Sequence, residues 1–121
     1  MKPIILADDD SDMLYMLSGF IGDTFPGVQI DQVANGVDLT ARVLNGTDYG
    51  LAITDNAMPK MSGIEATRQI RARGKTLPII LISGDSELES EATEAGATRY
   101  VTKTNITAFM KAVEDLYQRG E

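Results

Sequence analysis

Short apolar runs that stop abruptly at polar residues alternate along this chain with longer segments whose apolar positions recur every three or four residues. A strand buried on one face alternates polar with apolar; a nearly continuous apolar strand needs cover on both faces. Pro3-Ile4-Ile5-Leu6-Ala7 is such a run, and it ends in Asp8-Asp9-Asp10. Tyr49-Gly50-Leu51-Ala52-Ile53-Thr54 leads to Asp55. Leu77-Pro78-Ile79-Ile80-Leu81-Ile82 is the most hydrophobic and leads to Ser83-Gly84. Arg99-Tyr100-Val101-Thr102 leads to Lys103, while Val28 to Ala34 is more polar, as suits a sheet edge.

The intervening segments read as helices. Asp10 or Ser11 caps the first, with Leu14, Leu17 and Ile21 at helical spacing, and Pro26-Gly27 stops it. On that helix Met16 and Phe20 fall outside the inward stripe, left for the surface or for packing under a neighbouring loop. Asn35 caps a second helix, in which Val37, Ala41 and Leu44 share a face. Ile64, Thr67 and Ile70 mark the third, which Gly74 ends. A short acidic helix runs from about Glu87 to Ala95 with Gly96 behind it, and Ile106, Met110, Val113 and Tyr117 stripe the last. The pattern is (βα)5: an α/β fold, doubly wound, with helices on both faces of a five-stranded parallel sheet.

The length, 121 residues, is that of one domain, so a single unit is expected over 1–121. Acidic side chains outnumber basic ones by 18 to 11, a net charge of -7 that disfavours nucleic acid and anionic membranes and favours metal cations and basic surfaces. The chain has neither cysteine nor histidine, which excludes disulfides, zinc-thiolate sites, thiol nucleophiles and imidazole bases. No signal peptide or membrane-length apolar stretch is evident, and a cytoplasmic location is expected.

In open parallel sheets ligands bind beyond the carboxyl ends of the strands. Those ends deliver Asp8 and Asp9, Asp55, Ser83 and Lys103 to one rim. Taken singly, each has a bland reading: acids and serines after strands cap helices or form solvated turns, and a lysine there is usually exposed. Their coincidence at four strand ends is what makes a site. Carboxylates held close repel one another unless a cation joins them. An oxygen-rich cluster without His or Cys suits a hard ion, Mg²⁺ or Mn²⁺.

These residues resemble the receiver domains of response regulators, the CheY-like superfamily of two-component signalling. Ile5-Leu6-Ala7-Asp8-Asp9-Asp10 is similar to that family's acidic opening, and Thr54-Asp55-Asn56-Ala57-Met58-Pro59-Lys60-Met61-Ser62-Gly63 to its phosphoacceptor segment. Pro78-Ile79-Ile80-Leu81-Ile82-Ser83-Gly84 resembles the strand with the hydroxyl switch, and Ala95-Gly96-Ala97 with Tyr100-Val101-Thr102-Lys103 the closing segment. The resemblance implies a flavodoxin-like sheet in the order 2-1-3-4-5. It implies that Asp55 accepts the phosphoryl group, that Lys103 pairs with it and that the Ser83 hydroxyl turns toward it. It implies Mg²⁺ held by Asp9, Asp55 and the Ala57 backbone carbonyl, with Asp8 acting mainly through water, and Tyr100 as an aromatic that changes rotamer. The implied donor is a phosphohistidine on a sensor histidine kinase or a histidine phosphotransfer protein, docking near the first helix, where an adaptable Met16 surface suits it. The implied role is phosphotransfer signalling, not turnover of a substrate, with output by protein contact or onward relay.

Three rivals are weaker. An aspartate-nucleophile phosphatase wants a second acid just after Asp55, and Asn56-Ala57 supplies none. A flavin carrier wants glycines and hydroxyls where Asp8-Asp9-Asp10 stands. A phosphorylation-independent interaction module does not need the full set of acids, Ser83 and Lys103. The chain is alternatively a receiver fragment of a hybrid kinase or longer regulator. The sequence departs from the family at Thr104, where proline usually follows the lysine, so a trans Lys103–Thr104 peptide is expected.

Overall fold

The N-terminal apolar run forms strand β1 (Ile4–Ala7), with Ile4 and Leu6 facing one helical layer and Ile5 and Ala7 the other. The computed structural model describes residues 1–117, so the last four positions of the domain expected over 1–121 lie outside the described residues. Beside β1 lie β2 (Ile30–Val33), β3 (Leu51–Asp55), β4 (Ile79–Ser83) and β5 (Arg99–Thr102), all parallel, in the order β2-β1-β3-β4-β5. Helices α1 (Ser11–Thr24) and α5 (Ile106–Leu116) cover one face; α2 (Gly36–Leu44), α3 (Gly63–Ala72) and α4 (Glu89–Ala95) cover the other. This is the doubly wound, CheY-like flavodoxin fold.

Burial, more than capping, sets the frame. Each buried Ile or Leu side chain contributes roughly 1.5–3 kcal/mol, against about 1 kcal/mol for an N-cap. β1, β3 and β4 are buried along their whole length. Phe109, Val113 and Tyr117 close the α5 side, where Tyr117 packs edge-on against Phe25 at 4.9 Å and its hydroxyl donates to the Lys2 carbonyl. Caps then trim the helix ends: Asp10, not Ser11, caps α1, and Asn35 and Ser62 cap α2 and α3.

The boundaries of β1 to β4 shift by one or two residues from the sequence expectation, while β5 has the expected ones. Pro3 and Pro78 precede the ladders and serve as acceptors only, taking the Gly50 and Ala52 amides. Val37, Ala41 and Leu44 share a face of α2 as expected, but it is not the buried one: Leu39, Thr40 and Val43 point inward, while Val37 is 43% exposed and Ala41 faces solvent. The Gly36 amide donates to the Met61 carbonyl, which turns the Gly36 side of the helix toward the core. The expected acidic helix from Glu87 is a 3₁₀ turn (Ser86–Leu88) followed by α4, because the Asp85 side chain caps the Glu87 amide and starts the tighter turn first. On α1, Tyr15 and Met16 are exposed and Phe20 is half-buried.

The outer strands are short. On β2, Asp31 accepts the Tyr49 hydroxyl at 2.5 Å and the Gln29 side-chain Nε2 at 3.0 Å, and Arg42 lies 3.4 Å away. The Tyr49 hydrogen bond, then that of Gln29, holds the Asp31 carboxyl below its ordinary pKa. Gln32 donates to Ser18 at 2.7 Å, and on β5 Arg99 pairs with Asp115 at 3.2 Å.

Candidate functional site

Register brings the acids together. Ala7 pairs with Thr54, so the next residues, Asp8 and Asp55, emerge side by side from the ends of β1 and β3. Asp55 pairs with Ile82, and Ser83 with Thr102, which brings the ends of β4 and β5 to the same rim. Asp8 is fully buried and Asp55 is 2% exposed, whereas Asp9 is exposed. One carboxylate oxygen from each of Asp8, Asp9 and Asp55 lies within 4.8 Å of the others. Lys103 Nζ stands 3.2 Å from Asp55 Oδ2 and 3.6 Å from Asp8 Oδ2.

The two oxygens of Asp8 differ. Oδ1 accepts the Asp10 amide at 3.0 Å, while Asp10 turns its own carboxylate to cap α1. Oδ2 is buried without a hydrogen-bond partner. Burial, assisted by the charge of Asp55, pushes the Asp8 carboxyl above its ordinary pKa, against the opposing pull of the Asp10 amide and Lys103. Burial lowers Lys103, but the hydrogen bond and charge of Asp55, with the charge of Asp8, outweigh it and the net shift is upward. Three carboxylates facing one ammonium leave a surplus that one divalent cation balances. The orphaned Asp8 oxygen and the all-oxygen donor set both fit Mg²⁺.

A raised carboxyl pKa means that the folded state binds the proton more tightly, so stability falls as pH rises through that window. Asp8→Asn is therefore expected to stabilise the metal-free chain at neutral pH by about 0.5–2 kcal/mol, with the gain shrinking as pH approaches 4. Thermal unfolding of both proteins across that range reads the difference. Equal midpoints at neutral pH would remove Asp8 as a source of stored repulsion.

The loop after β3 is tied to β4, to the start of α3 and, at Met61, to α2. The Asn56 amide donates to the Ile82 carbonyl at 3.1 Å, its carbonyl accepts the Gly63 amide at 3.0 Å, and its Oδ1 accepts the Ile64 amide at 3.0 Å. Gly63 lies so close that a Cβ there would sit 2.2 Å from the Asp55 carbonyl oxygen and 3.0 Å from Thr54 Oγ1. Met58 and Met61 pack against the α2–α3 side of the core, and Ala57 is exposed.

Ser83 and Tyr100 meet at neighbouring points on Asp85. The buried Ser83 hydroxyl accepts the Asp85 amide at 3.1 Å, and the Tyr100 hydroxyl donates to the Asp85 carbonyl. Tyr100 is half-buried against the cluster of Ile64, Leu81, Ala92 and Ala95. The described residues hold no cis peptide bond, so Lys103–Thr104 is trans as expected.

The sequence model of the response regulator receiver domain matches residues 4–114, nearly the whole chain. The chain belongs to the response regulator receiver family. Receivers are phosphoaccepting signalling modules of two-component systems, not conventional enzymes, and a Mg²⁺ site is typical of them. This receiver is 33% identical over 102 residues to the response regulator protein TodT of Pseudomonas putida, a match covering 83% of this chain and 44% of that protein. It is 31% identical over 123 residues to the transcriptional regulatory protein CusR of Escherichia coli, covering 99% of this chain and 52% of that one. The receiver thus spans about half the length of the curated relatives it matches. Among solved structures it superposes on the response regulator TrrA of Thermotoga maritima, crystallised with Mg²⁺ and beryllofluoride, with a TM-score of 0.85 and 31% identity, covering 96% of this chain and 99% of that one. No helix among the described residues is long and apolar enough to cross a membrane.

The rim thus gathers Asp8, Asp9, Asp55 and Lys103 as their strand ends suggested. Sequence reasoning passed over Asn56. An asparagine directly after a strand is a turn signal, but its partners at Gly63 and Ile64 become visible only once the chain has folded back.

Proposed function

We propose that this receiver takes a phosphoryl group from a phosphohistidine onto Asp55, with Mg²⁺ held by Asp9, Asp55 and the Ala57 carbonyl and steadied through water by Asp8. The observation that carries this reading is the meeting of Asp55 with Lys103 at 3.2 Å beside two further acids. An Asp55 oxygen forms the new O–P bond as the P–N bond of the donor breaks, and the imidazole leaves with its electron pair. Lys103 Nζ, already against Asp55, pairs with the incoming phosphoryl oxygens. Bound Mg²⁺ supplies further neutralisation of those oxygens; Mn²⁺, with the same preference for oxygen ligands, is an alternative ion.

The donor is a sensor histidine kinase or a histidine phosphotransfer protein, and the exchange belongs to the cytoplasm. The -7 charge disfavours direct DNA contact by this segment. Ser83 leaves the Asp85 amide as its hydroxyl turns to the phosphoryl group, which frees the loop that also holds Tyr100 and changes the surface offered to a protein target. Residues 1–121 act as one receiver unit. A second reading, in which that unit is the receiver of a longer regulator, is favoured by the half-length coverage of its relatives.

Asp9→Ala is expected to weaken Mg²⁺ binding roughly tenfold or more, since an exposed direct ligand is removed without disturbing the buried pair. Calorimetric titration checks this. Parental affinity in the variant, or beryllofluoride occupancy under complete chelation, would overturn the metal assignment.

A further inference from the structure

We infer that Asn56 is a positioning residue: it clamps both ends of the loop from residue 56 to 63 and so holds the Ala57 carbonyl and the Asp55 carboxylate ready for the cation. The inference rests on the Mg²⁺ reading above and adds a residue that touches neither metal nor phosphoryl group.

Three bonds from one residue run in three directions. The Asn56 amide donates to the Ile82 carbonyl and extends the β3–β4 ladder one step past Asp55. Its carbonyl accepts the Gly63 amide, which closes the loop. Its side-chain Oδ1 accepts the Ile64 amide in the first turn of α3. Helix starts leave several amides without internal partners. Here Ser62 takes that of Glu65 and Asn56 takes that of Ile64.

Elsewhere the loop is tied by the Met61 amide to the Pro59 carbonyl at 2.7 Å and by the Gly36 amide to the Met61 carbonyl at 3.0 Å. Both ties lie beyond Ala57. Ala57 itself is exposed, and Lys60 adopts a left-handed φ of 69°, unusual for a residue with a side chain. Asn56 is thus the clamp adjacent to the proposed carbonyl ligand. Mg²⁺ demands near-octahedral ligand placement, and a ligand that must first be ordered lowers affinity by the cost of ordering it.

The test uses Mg²⁺ alone, then Mg²⁺ with beryllofluoride, on the full chain. Asn56→Ala is expected to weaken Mg²⁺ affinity about tenfold, with beryllofluoride occupancy returning to the parental level at saturating Mg²⁺. In the metal-free protein the Ile64 amide is expected to exchange faster in Asn56→Ala and to stay protected in Asn56→Asp, which keeps the acceptor. Val113→Ala, buried where α5 packs on the opposite face of the sheet, serves as a stability control expected to keep parental Mg²⁺ affinity. Parental affinity in Asn56→Ala, an equal loss in Val113→Ala, or a loss that saturating Mg²⁺ does not recover overturns the role of Asn56 alone. A parent chain that takes up no Mg²⁺ overturns it together with the reading on which it rests.

Discussion

Asp55→Ala is expected to lower phosphoryl uptake from acetyl phosphate by roughly a thousandfold or more, to the limit of detection by intact-mass measurement. No neighbouring carboxylate is placed to take over. Asp8 is fully buried, with Oδ1 engaged by the Asp10 amide and Oδ2 facing Lys103. Asp9 is exposed, and no ion pair joins it to Lys103. Asp55 alone combines a strand-end position, near-complete burial and an ammonium group at 3.2 Å. Asp55→Asn refines the test, since it keeps the shape and removes the nucleophilic oxygen pair. Undiminished labelling in either variant would move the acceptor elsewhere on the chain and end the assignment.

Gly63→Ala is expected to cost about 3 kcal/mol or more of stability, which for a domain of this size lowers the thermal midpoint on the order of 10 °C. The added methyl carbon would stand 2.2 Å from the Asp55 carbonyl oxygen and 3.0 Å from Thr54 Oγ1. Neither obstacle is a flexible side-chain end. The carbonyl belongs to a strand buried at every position, and Thr54 Oγ1 itself donates to that carbonyl at 2.8 Å. Relief requires α3 to back away from β3, breaking the Gly63 and Ile64 bonds to Asn56. Denaturant unfolding measures the loss. A parental midpoint would show that the helix start moves freely and that the close approach is incidental.

How much of this was legible in the sequence follows from the range of the forces concerned. Strand interiors such as Ile4–Ala7 and Ile79–Ile82 could be read because burial on both faces leaves an unbroken apolar run. Their ends could not be fixed to the residue, because a ladder begins where a neighbour supplies a partner, as Pro3 does for Gly50 and Pro78 for Ala52. On α2 the sequence offers two apolar phases at helical spacing, one through Val37 and Ala41 and one through Leu39 and Val43. The contact that chooses between them, Gly36 against Met61, joins residues 25 positions apart. The acids and Lys103 were readable because strand ends of a parallel sheet share one rim. The tie from Asp85 to both Ser83 and Tyr100 was not, since it depends on how the loop after β4 turns.

The short outer strands bear on which contacts this molecule makes. A sheet margin recruits a foreign strand when it is long, flat and apolar. Both margins here are four residues long. One carries Asp31 bound by Tyr49 and Gln29, and the other carries Arg99 anchored to Asp115. Such margins are poor templates for cross-chain pairing, so concentrated solutions are expected to keep discrete molecules and not seed fibres. Recognition is left to the helices and to the loops at the acidic rim. Those surfaces can be covered and uncovered without opening the sheet.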